Sequence, residues 1–376
     1  MVKPRAALLY LAPWVAPGGA DRGTVDWFRY LDHGHFESHL ITTARTSSNT
    51  FVHLLEPYAE SVWNLPDLMS EADYASFVLS FVKERHVALI HIMNSHLGFD
   101  LIPSFKKYFP QTKIVVQHHA EEVDQSGYVR YVASRYGHLV DAYSATSRDL
   151  KRRLIGHGVH ESSVRVIYTG IDATGEWAPR FERVPRLDGS PMRVLFAGRL
   201  EDQKDPLLMV QVAKALADRG LNAVIDVVGD GSLRRLTEEM VRAASLEDVV
   251  RFHGVSYDML KWYENSDLLL MTSRFEGIPY VIYEAMAMGI TCVVPDVNAN
   301  TELLDQDHGF VVADRLDVSS YIDALECLDN DRELLFEMGL RCRDRVLEDY
   351  PIEEMARQHE RLYDELLSPS KMALRQ

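Results

Sequence analysis

Ser273-Arg274-Phe275-Glu276-Gly277-Ile278-Pro279-Tyr280-Val281-Ile282-Tyr283-Glu284-Ala285-Met286-Ala287-Met288-Gly289 carries more information than any other stretch of the chain. Pro279 suits the first turn of a helix, where its missing N–H costs nothing and its fixed φ is already helical. Gly289 marks where that helix would end. Glu276 and Glu284 stand eight positions apart, which puts the first in the loop before the helix and the second on its second turn. The two carboxylates can then grip different parts of one extended ligand. Between them the helix start, Gly277 through Ile278 and Pro279 to Tyr280, offers backbone N–H groups and the positive end of the helix dipole to an anion. Carboxylates accept hydrogen bonds from vicinal hydroxyls, hence from sugars and riboses. The spacing does not suit a paired acid and nucleophile attacking one bond. Two unrelated solvated glutamates are the alternative.

On either side lie short apolar runs, Leu268–Met271 before and Thr291–Val294 after, so the stretch is the helix of a βαβ unit. The same alternation recurs along the chain. One group of expected strands is Ala6–Leu11, His39–Thr42, Val87–His91, Lys113–Gln117, Asp141–Ala145 and Val164–Tyr168. A second is Arg193–Ala197, Ala223–Val228, Val250–His253, Leu268–Met271, Thr291–Val294 and Gly309–Val312. Both groups are nearly continuous in hydrophobicity, as where helices cover both faces of a parallel sheet. The expected architecture is α/β, with two doubly wound Rossmann-like domains facing across a cleft. The first covers residues 1–175 and the second 192–350. Residues 176–191, rich in turn formers and without apolar periodicity, are the expected hinge. A final helix from 351, with an apolar stripe at Ile352, Met355, Ala356, His359 and Leu362, fits either domain. Ligands of such folds bind outside the carboxyl ends of the strands.

Composition agrees with a folded protein. Of 376 residues, 47% are apolar and 26% charged, and Lys and Arg number 40 against 56 Asp and Glu, a net charge of −16. Such a balance disfavours nucleic acid as a partner. Three cysteines, Cys292, Cys327 and Cys342, have no metal-clip or staple spacing, which suggests a reducing, cytoplasmic compartment. The apolar run from Ala6 to Leu11 is interrupted by Pro13 and reads as a buried strand rather than a leader. No stretch reaches the roughly 20 apolar residues of a membrane span, so any membrane contact would be peripheral.

Several strand ends carry candidate chemistry. After the strand ending at Ala197 come Gly198, Arg199 and Lys204, a glycine for close approach with a forked and a point cation, together a plausible anion site; ordinary surface charges at a helix entrance are the alternative. After Val228 come Gly229-Asp230-Gly231-Ser232 and a helix, which fits a phosphate loop or a plain tight turn, since neither a Gly-x-Gly-x-x-Gly nor a Walker lysine is present. His118 and His119 end the strand Val115–Gln117, with register favouring His119 for the site. Pro17-Gly18-Gly19-Ala20-Asp21 follows the first strand. No convincing Asp-x-Asp is present; Asp226 and Asp230 fit a strand pattern better, and no metal site is expected.

Together these blocks resemble glycosyltransferase family 4, nucleotide-sugar enzymes of the GT-B fold. Its Glu-x7-Glu is matched by Glu276 through Glu284. Gly198-Arg199-Leu200 with Lys204, Gly229-Asp230-Gly231, Phe252-His253-Gly254 and Glu284-Ala285-Met286-Ala287-Met288-Gly289 match further blocks in the family's order, and Glu302 sits at a later acidic position. Gly18 and Gly19 resemble the family's Gly-Gly loop, and Ile167-Tyr168-Thr169-Gly170-Ile171-Asp172 its hinge block with threonine for asparagine. One departure is Val297-Asn298-Ala299-Asn300 where the family commonly has glycines.

The resemblance implies a retaining, metal-independent transfer of a hexosyl-type sugar from a nucleoside-diphosphate sugar, UDP-linked first and GDP-linked second, which is a substrate rather than a cofactor. It implies catalytic roles for His119, Arg199, Lys204 and Glu276. Donor contacts fall to Gly18, Gly19, Gly198, Gly229, His253, Gly277, Ile278, Pro279, Tyr280, Glu284 and Glu302. The acceptor, whether glycan, lipid, protein or small molecule, is not readable. A sugar-nucleotide binding subunit without activity and a nucleotide-sugar epimerase of the same fold are the alternatives, while a dinucleotide oxidoreductase lacks its fingerprint.

Overall fold

The computed structural model describes residues 5–16, 19–46, 52–119, 128–277 and 279–368. The chain divides into two compact units, one of residues 1–170 with 352–376, the other of residues 171–351.

The first unit holds seven strands, β1 (Ala6–Ala12), β2 (Phe36–Thr42), β3 (Ser61–Asn64), β4 (Leu89–Met93), β5 (Lys113–His118), β6 (Ala142–Ala145) and β7 (Val164–Val166), in the order β3-β2-β1-β4-β5-β6-β7. The second holds β8 (Met192–Ala197), β9 (Ala223–Val228), β10 (Val250–Gly254), β11 (Leu268–Leu270), β12 (Thr291–Pro295) and β13 (Gly309–Val312), in the order β10-β9-β8-β11-β12-β13. All pairings are parallel. Central strands are buried on both faces, as β9 is throughout, which explains their unbroken apolar sequence. β3 was not among the expected strands: it is a four-residue, half-buried edge, too short for a period to show.

Local sequence sets the helix limits. The helix Pro206–Arg219 begins with the Asp205 carboxylate accepting from Leu208 N at 3.1 Å and with proline in its first turn, and it ends at Gly220 with φ of 71°. Ser95 and Ser147 cap the helices His96–Tyr108 and Arg148–Gly156 in the same way. The last helix, Ile352–Leu367, packs in the first unit, with Ile352, Met355, Leu362 and Tyr363 in one apolar cluster with Leu8, Tyr10, Trp27 and Phe28.

The residues read as a hinge belong to the second unit from 171 onward. Three arginines tie them to the helix Leu260–Glu264 and the turn after it. Arg180 makes a forked pair with Glu264 at 2.5–3.1 Å. Arg183 donates to the carbonyls of Tyr263 and Ser266 at 3.2 and 2.6 Å. Arg186 donates to the Asn265 carbonyl at 3.2 Å and pairs with Asp267 at 3.0 Å. Cations belong at a helix C-terminus, where carbonyls lack intrahelical donors.

Candidate functional site

In the second unit the strand order reverses between β8 and β11. Connections leave a doubly wound sheet in opposite directions there, opening a crevice beyond the carboxyl ends. Gly198-Arg199 follows β8, and Thr272 to Glu276 follows β11.

Gly198 and Gly229 have φ of 144° and 145°, a region that side chains with a Cβ avoid. A Cβ on Gly229 would stand 1.9 Å from the Gly198 carbonyl oxygen. The loops after β8 and β9 are laced together through Gly198 N to Val228 O and Leu200 N to Asp230 O, both 3.0 Å, and Gly229 N donates to Gly254 O at 2.8 Å. A Cβ on Gly198 would meet the Lys204 side chain at 3.2 Å, so the glycine lets the lysine lie against the backbone.

Lys204 Nζ is 2.5 Å from Glu276 Oε1, the two side chains 15% and 4% exposed. The spacing showed a cation and a carboxylate as separate ligand groups; the fold makes them one ion pair. The Thr272 hydroxyl donates to the carbonyls of Lys204 and Asp205 at 3.1 and 2.8 Å. Glu276 N donates to Asn298 Oδ1 at 2.9 Å. Asn298 has a φ of 50°, so asparagine here takes the left-handed backbone that the family's glycines would allow. Arg199 is held at 3.2 Å by Gln203. Arg274 and Arg315 pair with Asp205 at 3.3 and 2.6 Å, bringing two more cations to this edge. Arg315 stands far from Glu276 in sequence, and neither it nor Thr272 matches any block, so sequence reading passed over both.

Pro279 is the N-cap of the helix Tyr280–Ala287, which begins one residue later than expected and ends two before Gly289. Glu284 lies on its second turn, 9% exposed, and Tyr263 Oη donates to Glu284 Oε2 at 2.6 Å. Tyr280 is buried at the helix start. Gly277 is placed between Glu276 and Ile278, and Ile278 itself lies outside the described residues.

Two other expected donor contacts have partners within the second unit. His253 Nε2 stands 2.7 Å from Asp226 Oδ1, and its ring lies 4.3 Å from that of Trp262; Asp226 also takes Arg193 at 2.9 Å. Glu302 sits on the short helix Asn300–Leu303, its carbonyl accepting from Tyr350 and Arg345 at 3.2 and 3.3 Å. Among the described residues no three His, Cys, Asp or Glu side chains are grouped to hold a metal ion.

In the first unit, Gly18 lies outside the described residues, and Gly19 is not in a loop but opens the helix Gly19–Tyr30. Asp21, in its first turn, accepts from Ala16 N at 3.1 Å, and burial raises its carboxyl to about 7. His118 is fully buried, its ring 5.7 Å from Phe99. His119, on the alternate side, has Nε2 2.8 Å from Met93 Sδ, and burial pushes its imidazole down to about 4. No described helix is long and apolar enough to cross a membrane.

Family models match both units: one described as Glycosyltransferase Family 4 over residues 17–174, and one described as Glycosyl transferases group 1 over 191–331. The chain is 27% identical over 203 residues to an Escherichia coli UDP-Gal:alpha-D-GlcNAc-diphosphoundecaprenol alpha-1,3-galactosyltransferase, a match spanning about half the length of each (52%). Among solved structures it is similar to a glycosyltransferase of Rickettsia africae, with TM-score 0.79 and 18% identity over 98% of this chain and 100% of the other. It is also similar to HepE of Anabaena, solved with UDP and glucose, with TM-score 0.76 and 18% identity over 94% and 98%. At such identities the structural likeness establishes the GT-B fold.

Proposed function

Because the chain belongs to glycosyltransferase family 4 and has the GT-B fold, we propose that it moves a hexosyl-type sugar from a nucleoside-diphosphate sugar to an acceptor hydroxyl. UDP is the first choice of leaving group and GDP the second, and the transfer proceeds with retention and without a divalent metal.

The observation that carries this reading is the cluster at the β8 and β11 ends. There the Lys204–Glu276 pair lies at 2.5 Å against Gly198 and just before the helix Tyr280–Ala287. Negative charge gathers on the departing diphosphate in the transition state. Arg199, Lys204 and the backbone N–H groups at that helix start supply fixed positive potential to meet it. Glu276 accepts from hydroxyls of the donor sugar and orients Lys204. Glu284 accepts from the ribose. The choice of UDP is supported by the neighbour solved with UDP and by the UDP-Gal named for the Escherichia coli relative. Retention is supported by the resemblance, and independence of metal by the resemblance and by the two cations available at the diphosphate.

A thermal-shift panel of UDP, GDP, ADP and their glucose conjugates tests it. A ligand at 100 times its Kd stabilises the native state by about 2.7 kcal/mol, so one nucleoside diphosphate should raise the melting temperature by several degrees. A flat panel would sink the proposal. Hydrolysis of the stabilising donor without acceptor then separates an enzyme from a binding subunit.

A further inference from the structure

The helix Leu260–Glu264 contributes no residue to any family block, yet it carries a phenol that reaches the Glu284 carboxylate. Tyr263 is fully buried, and its hydroxyl donates to Glu284 Oε2 at 2.6 Å. The residue is held at both its ring and its backbone. Trp177 packs edge-on against it with centroids 5.8 Å apart at 78°, and Arg183 holds the Tyr263 carbonyl at 3.2 Å. Desolvation first, and the neighbouring Glu284 charge second, push this phenol well above its ordinary pKa, so it stays a donor throughout the working pH range.

We propose that Tyr263 is a positioning residue: its hydroxyl fixes the Glu284 carboxylate in the orientation that accepts the vicinal hydroxyls of the donor ribose. The proposal rests on the ribose role given to Glu284 above. A carboxylate has about four lone-pair sites. A short bond from an immovable phenol occupies one of them and sets the plane of the others. Without it, Glu284 would keep its charge but lose this constraint on the plane of its carboxylate, a terminal torsion whose own preference is broad. The linker takes part as well, because Trp177 packs on the Tyr263 ring and Arg183 bonds its backbone carbonyl.

Calorimetric titration with UDP and with 2′,3′-dideoxyuridine diphosphate tests this on the full chain. Wild type should prefer UDP. Tyr263→Phe should weaken UDP about tenfold, leave the dideoxy analogue within about twofold, and raise KM for the sugar nucleotide far more than it lowers kcat. Tyr263→Met removes the hydroxyl on a different frame, so the result does not depend on one variant folding; melting curves without ligand identify which variants are native. Equal losses for both nucleotides, or a Tyr263→Phe protein that keeps the full wild-type preference, would overturn the positioning role alone. A wild-type protein with no preference for UDP over the dideoxy analogue would overturn the ribose role of Glu284 and this inference with it.

Discussion

Lys204 and Glu276 meet at 2.5 Å with their side chains 15% and 4% exposed. Breaking a buried pair strands the surviving charge, at about 3–5 kcal/mol, whereas replacing both members costs much less. Lys204→Met should therefore lower the melting temperature of the ligand-free protein, and adding Glu276→Gln should recover part of the loss. Strictly additive losses in that double-mutant cycle would show that the pair does not couple. Asp21 gives a second test. Its carboxyl binds a proton more tightly in the folded chain, about 7, than in the unfolded chain at 3.8. The stability it contributes is present below pH 3.8 and is lost as pH rises through 7. Asp21→Asn should accordingly raise the denaturation midpoint at pH 8 by more than at pH 5; an equal shift at both would place Asp21 in a solvated site.

Among the elements, the loops after β8 and β9 are where glycine is required rather than preferred. Gly229→Ala combines a positive φ with a 1.9 Å approach to the Gly198 carbonyl. It should cost about 2 kcal/mol or more and abolish the nucleotide-induced thermal shift. An alanine variant with wild-type melting and wild-type shift would show that the two loops move apart freely. The strands and helices on either side were readable because burial on both faces writes itself as unbroken apolar runs. The linker was not. Its order is an arginine at 180, 183 and 186, a polar period that a search for apolar periodicity passes over, and its partners are carbonyls and carboxylates some 80 residues away.

At the scale of the molecule, the first unit closes over buried histidines. His91 Nδ1 lies 2.6 Å from the Tyr363 hydroxyl, and His359 Nε2 lies 3.2 Å from Ser144 Oγ, so each joins the last helix to the sheet. Burial holds His119 and His359 down to about 4 and His91 well below its ordinary value. The unfolded chain therefore takes up protons that the folded one refuses, and stability falls as pH drops from about 6.5 toward 4, by up to about 2 kcal/mol per histidine at pH 5. The urea midpoint should be markedly lower at pH 5 than at pH 7.5. His359→Gln should flatten that slope, and an unchanged slope would remove His359 from the account.

By itself the sequence determined two doubly wound parallel sheets, because apolar runs, caps and glycines act over a few residues and leave their marks in order along the chain. It also brought out the groups that meet at the carboxyl ends of β8 and β11, because that topology fixes where strand ends gather. Only the tertiary structure decided that the last helix packs with the first unit, that Lys204 pairs with Glu276, and that Tyr263 aims Glu284. Those contacts join residues from about 20 to more than 200 positions apart through single hydrogen bonds and buried faces, and no local period or spacing records such a partner.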